Sequence, residues 1–342
     1  MKKPKTAVLV LGYNSQKYLK DCFLSLTKAK TENIDLVYID NNSGDNSLDY
    51  LRKNFPKVEI LANRKNLGFA AGYNQAIKWA IKKGYDYLFL LNPDTITDQN
   101  CLRELAKKAD QNTILQPLVL IHSRGKKTKL INTSGNNLNF LGMSYCGDYR
   151  HQKRFAREKE IVSASGAAMF APATIFKKIG FLDGSFFMYH EDLDFCWRAR
   201  LAGFEIKLIP KAIIWHKYNF GRNWGKFFYV ERNRQMFLLK NFSAKTLLLV
   251  FPIWLINELA ILFYALINGW FWLKIKSYFS FLKYFPQTLQ SRSKIQIMRV
   301  KSDADLKKFI SGKISFIEVK IPLLSLYNQI TSKYWLNIKK LI

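Results

Sequence analysis

The chain has 342 residues, 49% of them hydrophobic and 15% aromatic, which is enough for a packed core and too much for a disordered chain. Its formal charge of +29 points to a polyanionic partner, either nucleic acid or an anionic membrane surface. From Lys217 to Ile342 there are 21 Lys or Arg against five Asp or Glu, so much of that excess shares the last third with the longest apolar stretch.

Because single cores stop growing near roughly 250 to 300 residues, one ordinary domain plus an appendage is expected. The boundaries fall at 1–240 for a catalytic domain and 241–342 for a C-terminal helical, basic and membrane-associated region. "MKKPKTAVLVLGYN" opens on basic residues, but its apolar run is only "AVLVL", which reads as a first strand and not a signal peptide. Ser15 is placed to cap a helix whose Leu19, Cys22, Phe23 and Leu26 share a face. "DLVYID" is the next strand, followed by the turn "NNSGDN", a helix carrying Leu48, Leu51 and Phe55, and the strand "VEILAN". From Phe69 to Lys83 the stripe Phe69, Tyr73, Ala76, Ile77, Ala80 and Ile81 predicts a helix that Gly84 ends. "YDYLFLL" is a fourth strand. This alternation predicts an α/β fold with a mainly parallel sheet flanked by helices.

Further on, "HSRGKKTKL" reads as an exposed loop and residues 134–155 as a polar stretch without period. "HEDLDFCWRARLAG" is a helix, acidic in its first turn and basic in its last, as the helix dipole prefers. "FEIKLI" and "AIIWH" read as two short strands. Cys22, Cys101, Cys146 and Cys196 form no C-x-x-C pair and are expected to be reduced, mostly buried thiols of a cytoplasmic protein.

In parallel sheets, ligands dock at the carboxyl ends of the strands. Polar residues stand at every such end here: Tyr13 and Asn14, Asp40 and Asn41, Asn63 and Asn66, Asn92 and Asp94. Turn chemistry alone explains each one singly, since Asn, Pro and Asp are turn formers and Asp98 could cap the next helix.

The set "LGYN", "IDNNSGDNS", "NLGFAAGYN", "LLNPDT", "GFLDGSFFMYHEDLDFCWRARLAGF" and "AIIWH" resembles the family 2 inverting glycosyltransferases of GT-A fold, in particular the rhamnosyltransferase and galactofuranosyltransferase branch. The likeness runs from about Val8 to His216. It implies a nucleoside diphosphate sugar donor, UDP- or dTDP-linked and of the dTDP-rhamnose kind, and a divalent Mg²⁺ or Mn²⁺ ion to stabilise the leaving diphosphate. By the same likeness Asp94 and His216 are metal ligands, Asp192 is the base that deprotonates the acceptor hydroxyl, and Glu191 orients donor or acceptor. Asp40 accepts the N3–H of a pyrimidine, Tyr13 and Asn14 flank base and ribose, and Asn66, Gly68 and Phe69 bring a helix amino end toward the diphosphate. Gly166, in "SASGAAMF", lines the sugar pocket. The family's usual Asp-x-Asp has Asn92 in its first position here, which weakens the case for metal dependence while leaving Asn92 a donor-site residue.

Each assignment has a plainer competitor. "EDLD" makes a favourable helix start, Asp194 is placed to bond Arg198, a lone strand-end His is often a core residue, Asn74 suits either a site or a polar seam, and Trp197 and Trp215 are more often core than sugar platforms. The alternatives for the whole chain are a sugar-phosphate nucleotidyltransferase, which "LGYNSQKYL" fails for want of a Gly-rich basic loop, and a catalytically inactive nucleotide-binding scaffold.

In the tail, residues 247–273 are long enough to span a bilayer but are interrupted by Pro252, Asn257, Glu258 and Asn268. Trp254, Trp270 and Trp272 suit an interfacial belt, and the lysines suit anionic headgroups. The expected partners are therefore a nucleotide sugar, a lipid-linked or polysaccharide acceptor, the cytoplasmic face of an anionic membrane and, as an option, a second copy. Nucleic acid is not expected, because no recognition motif accompanies the charge.

Overall fold

The computed structural model describes residues 4–31, 33–217, 225–315 and 324–342; the basic first residues of the chain lie outside that range. In chain order the elements are β1 (Thr6–Gly12), α1 (Gln16–Thr27), β2 (Ile34–Asp40), α2 (Ser47–Asn54), β3 (Glu59–Ala62), α3 (Gly68–Lys82), β4 (Tyr87–Leu91), β5 (Thr95–Thr97), α4 (Cys101–Ala106), β6 (Thr113–Ser123) and β7 (Lys126–Thr133). They continue with β8 (Asn136–Asn139), β9 (Ser144–Cys146), β10 (Lys159–Glu160), β11 (Ala168–Pro172), α5 (Ala173–Ile179), α6 (Glu191–Leu201) and β12 (Glu205–His216). The last part holds α7 (Gly225–Asn241), α8 (Ala244–Ile267), α9 (Phe271–Met298), α10 (Asp303–Leu306), β13 (Ile310–Ser311) and α11 (Leu324–Ile338). Two compact units share the chain, Met1–Asn136, Cys146–Phe187 and Phe204–Asn219 in the first, Asn137–Tyr145, Met188–Gly203 and Phe220–Ile342 in the second.

The first unit is built on one sheet of order β10–β12–β6–β11–β4–β1–β2–β3, with β5 added to β12 and β7 to β6. Strands β3, β2, β1 and β4 pair in parallel, and β6 and β12 run the same way on the far side of the antiparallel β11. The GT-A-type α/β architecture expected from the sequence is the one observed. Continuous apolar runs make β1 and β4 buried along their whole length, as strands covered on both faces must be. Leu19, Cys22, Phe23 and Leu26 of α1 join Tyr38, Leu51 and Phe89 in the core, and large side chains buried in this way stabilise by about 1.5–3 kcal/mol each. Gly84, at φ +77, ends α3 as expected.

Three local expectations change. "HSRGKKTKL" is not a loop: β6 turns back into β7 through Arg124 and Gly125, both at positive φ, the geometry a tight hairpin requires. "FEIKLI" and "AIIWH" are one strand, β12, whose register against β6 slips between Ile209 and Ile213. Ser15 does not cap α1 with its side chain; its hydroxyl pairs with that of Tyr38 at 2.9 Å and its N–H donates to Ser47 Oγ.

The second unit is helical around a small sheet of order β13–β8–β9. Trp197 of α6 is fully buried against Phe237 and Phe242, and Phe140 stacks on Trp335 at 5.2 Å. Pro252 does not break α8, which runs unbroken for 24 residues. Its Glu258 is buried, bonded to Arg234 of α7 at 2.5 Å, to Lys274 of α9 at 2.7 Å and to the Tyr278 hydroxyl at 2.7 Å. Arg234 and Lys274 also meet Glu231, so a closed ionic cluster ties three helices together. Cys22, Cys101 and Cys196 are buried and Cys146 half-buried, all as free thiols.

Candidate active site

Parallel register brings the first three strand ends to one edge of the first unit, Gly12 opposite Asp40 and Asp40 opposite Ala62. Asp40 is almost wholly buried. Its Oδ2 accepts the Ser43 N–H at 2.9 Å, while its buried Oδ1 has no hydrogen-bond partner among the described residues. Such an acceptor costs free energy unless something else fills it. Beside it Tyr13 projects into solvent, 52% exposed. Asn14, held at φ 49, donates its N–H to Ser43 Oγ and accepts the Gly44 N–H at 2.8 Å, which ties the first strand-end loop to the second.

Asn41, one of the polar strand-end residues, is the hub of this edge. Its amide nitrogen donates to Asn66 Oδ1 at 2.9 Å and to the Gly68 carbonyl, and its oxygen accepts from Leu67 N–H and the Asn63 amide. The amino end of α3, expected to face a diphosphate, is already engaged. Gly68 N–H donates to Asn66 Oδ1, and Phe69 N–H to the Phe187 carbonyl at 2.6 Å. Gly68 is obligatory: it sits at φ +76, and a Cβ there would lie 2.5 Å from the Phe187 ring. Asn74 bonds both the N–H and the carbonyl of Leu182, at 3.1 and 2.7 Å, and so acts as a seam within the fold.

At the fourth strand end, Asn92 N–H donates to the Ala167 carbonyl, next to Gly166 in the buried turn before β11. The Asn92 carbonyl accepts the Thr95 hydroxyl at 2.7 Å, closing the Asn-Pro-Asp-Thr turn. Strand β5 then pairs antiparallel with β12, Thr95 opposite His216, and Lys217 N–H donates to the Asp94 carbonyl. Those pairings set the side chains together: His216 Nε2 lies 3.1 Å from Asp94 Oδ1, and His216 Nδ1 lies 3.0 Å from Asn132 Oδ1. Burial opposes ionisation of Asp94, yet the adjacent His216 holds its carboxyl below the ordinary range. Asn132 orients the ring, a role for which the sequence gives no signal. With one ring nitrogen of His216 on Asn132 and the other on the Asp94 carboxylate, this imidazole and carboxylate donor set fits a divalent cation. No group of three or more His, Cys, Asp or Glu able to hold a metal occurs among the described residues.

Glu191 and Asp192 belong to the second unit, in the first turn of α6. The backbone reaches them through Tyr189 and His190, both in the left-handed region. This costly turn is fixed by Asn233 of α7, whose amide donates to the carbonyls of Met188 and Tyr189 at 2.8 and 2.7 Å. His190 Nε2 contacts the Gly142 carbonyl at 3.0 Å, and burial lowers its pKa to about 4. Asp192 Oδ1 accepts the Leu193 N–H. Burial, with Asp192 next to it, pushes the Glu191 carboxyl well above its ordinary range, and its Oε2 has no partner among the described residues. Asp194 is committed to structure: fully buried, it binds Arg198, Lys240 and Asn241 at 2.9–3.0 Å. Trp197 is core, and the Trp215 indole donates to the Thr128 carbonyl.

The family model for glycosyl transferase family 2 matches residues 7–194. The chain belongs to that family. Among curated relatives, the low-salt glycan biosynthesis hexosyltransferase Agl10 of Haloferax volcanii is 22% identical over 58% of this chain and 63% of its own length. The poly-beta-1,6-N-acetyl-D-glucosamine synthase of Staphylococcus aureus is 26% identical over 60% of this chain and 48% of its own. The chain thus spans from about half to under two thirds of these relatives' lengths. Among solved structures, S. aureus TarS 1-349 in complex with UDP matches with a TM-score of 0.51 at 17% identity, over 98% of this chain and 90% of that one. GalNAc-T7 with UDP, GalNAc and Mn²⁺ gives 0.58 at 14% identity, over 69% and 48%. At such identities the structural likenesses establish the GT-A fold.

Proposed function

We propose that the protein is an inverting glycosyltransferase that moves one sugar from a UDP- or dTDP-activated donor, dTDP-rhamnose being the first to try, to a lipid-linked or polysaccharide acceptor in cell-surface glycan synthesis. Its place of work is the cytoplasmic face of the membrane. The observation that carries the reading is the meeting of Asp94 and His216 at 3.1 Å, at the edge where Asp40 keeps a buried acceptor unspent. The names of the relatives and the UDP of the structural neighbours support the donor class.

In this reading Asp40 Oδ1 receives the N3–H of the pyrimidine, with Tyr13 against the ring and Asn14 at the ribose. Asn66, Gly68, Phe69, Asn92 and Gly166 shape the donor pocket. Asp94 and His216 would hold Mg²⁺ or Mn²⁺, which would offset negative charge on a diphosphate leaving group. Asp192 removes the acceptor hydroxyl proton as that oxygen bonds to the anomeric carbon from the face opposite the leaving group. The nucleoside diphosphate leaves with the bonding pair, so the configuration inverts. Glu191, buried beside Asp192, orients the sugar or acceptor.

The test is a screen of UDP- and dTDP-sugars for release of free nucleoside diphosphate, with Mn²⁺ and with chelator. Chelation should stop release, and Asp192→Asn should lower transfer by at least about a hundredfold, the scale of a positioned base, while leaving nucleotide affinity close to that of the parent. Nucleotide binding without release from any donor would instead establish an inactive scaffold.

A further inference from the structure

Helix α8 exposes apolar side chains along most of its length. The side it turns into the second unit carries Thr246, Asn257 and Glu258 beside Val250, Ile253 and Ala265, all buried. The opposite side is apolar from Leu248 to Ile267, with Phe251, Ile256, Leu259 and Phe263 between them, each 55–75% exposed. In α9, Trp272, Phe279 and Leu282 continue this surface at 61–72% exposure. An apolar face this long on a protein in water would be a liability, whereas hydrocarbon makes it favourable.

By length and composition α8 passes for a membrane-crossing helix. Its ionic ties argue for another placement. Glu258, near its middle, is bonded to Arg234 of α7 and Lys274 of α9, and Trp254 donates to Gln235 of α7 at 2.9 Å. Centred across a bilayer, α8 would draw Glu231, Arg232 and Arg234 of α7 to the depth of the acyl chains, at a cost of about 2.5–3.5 kcal/mol per charge even on the mildest scale. Lying in the plane, it leaves that cluster under the protein and puts only apolar side chains into lipid. The surrounding charge fits such a surface. From Ala244 to Met298 the sequence has one acid, Glu258, which is buried, while Lys245, Lys276, Lys283 and Lys294 are exposed. Exposed lysines without exposed carboxylates match anionic headgroups.

We propose that the exposed face of α8 and the start of α9 embeds in one leaflet of an anionic membrane, with α8 parallel to the surface and not across it. The occupant of this face is lipid. Of the reading above, the inference shares only the membrane location, and its readouts need no turnover.

The experiment uses the full chain, with sedimentation on phosphatidylcholine vesicles with and without phosphatidylglycerol. Binding should be stronger on the anionic vesicles. Ile256→Glu with Phe263→Glu should weaken it at least about tenfold, with the denaturation midpoint and nucleotide-diphosphate release kept at parental values. Lys276→Glu with Lys283→Glu should remove only the anionic preference. Spin labels on Leu248→Cys and Ile267→Cys, in a Cys146→Ser background, should report the same shallow depth. Labels at opposite headgroup depths would overturn the in-plane placement. Absent vesicle binding, or a dimer in solution that Phe263→Glu splits, would overturn lipid as the occupant. Loss of donor hydrolysis in both parent and variants would count against the proposed function and leave the membrane result standing.

Discussion

Two buried polar sites, one in each unit, are built differently. In the second, the carboxylates of Glu231 and Glu258 bond Arg234, Lys274 and Tyr278 across three helices. In the first, Asp40 Oδ1 is buried without a partner among the described residues, and Asp94 meets the His216 imidazole, whose other nitrogen lies on Asn132. A cluster that closes on itself specifies how helices pack; acceptors left open at a sheet edge are available to a ligand. Stability and binding should therefore respond to different substitutions.

The largest effect is expected in the closed cluster. Glu258→Gln leaves Arg234 and Lys274 with Glu231 as their one buried carboxylate, and breaking a buried pair in this way costs about 3–5 kcal/mol. Urea denaturation followed by tryptophan fluorescence should show it. The double variant Glu258→Gln, Lys274→Met should recover part of the loss, since it removes the stranded charge along with its partner. Equal losses in the single and double variants would mean that the cluster is not a coupled unit and would blur the contrast between the two regions.

How far the sequence announces these features depends on whether they are local. Strands β1 and β4 are legible because burial on both faces demands unbroken apolar runs, β2 from its shorter apolar centre, and α3 because its stripe and terminal Gly84 lie within one segment. Strand β7 is hidden because its first half carries the exposed Lys126, Lys127 and Lys129, leaving Gly125 as its local signal. Pro210 makes β12 look like two strands, although the register slip absorbs it without ending the pairing. At the candidate site, the polar strand ends can be read one by one. The hub role of Asn41 and the ring contact of Asn132 cannot, since each depends on partners that lie 22–27 and 84 residues away. Glu258 reads as an interruption in an apolar run until Arg234 and Lys274 are placed beside it.

The open acceptor gives the second test. Asp40→Ala should weaken UDP or dTDP binding by roughly 5- to 150-fold, the equivalent of about 1–3 kcal/mol for a buried donor left unpaired. Uridine diphosphate methylated at N3 should bind the parent about as poorly as UDP binds the variant. Titration calorimetry on both proteins checks this. If the methylated nucleotide binds the parent normally, the unspent oxygen does not read the base, and the first unit's edge loses the feature that sets it apart from the second unit's cluster.

The smallest effect separates seam from site within the first unit itself. Asn74 lies on α3, a few residues past the loop that carries Asn66 and Gly68, but both ends of its amide are used by Leu182. Its polar atoms are therefore spent, like those of the second unit's cluster, although it stands close in sequence to open ones. Asn74→Ala should lower stability by about 1–2 kcal/mol, the worth of two ordinary hydrogen bonds, and leave nucleotide affinity unchanged. A drop in affinity without a drop in the denaturation midpoint would move Asn74 from the seam into the donor site. The line between spent and open polar groups would then have to be drawn through the middle of α3.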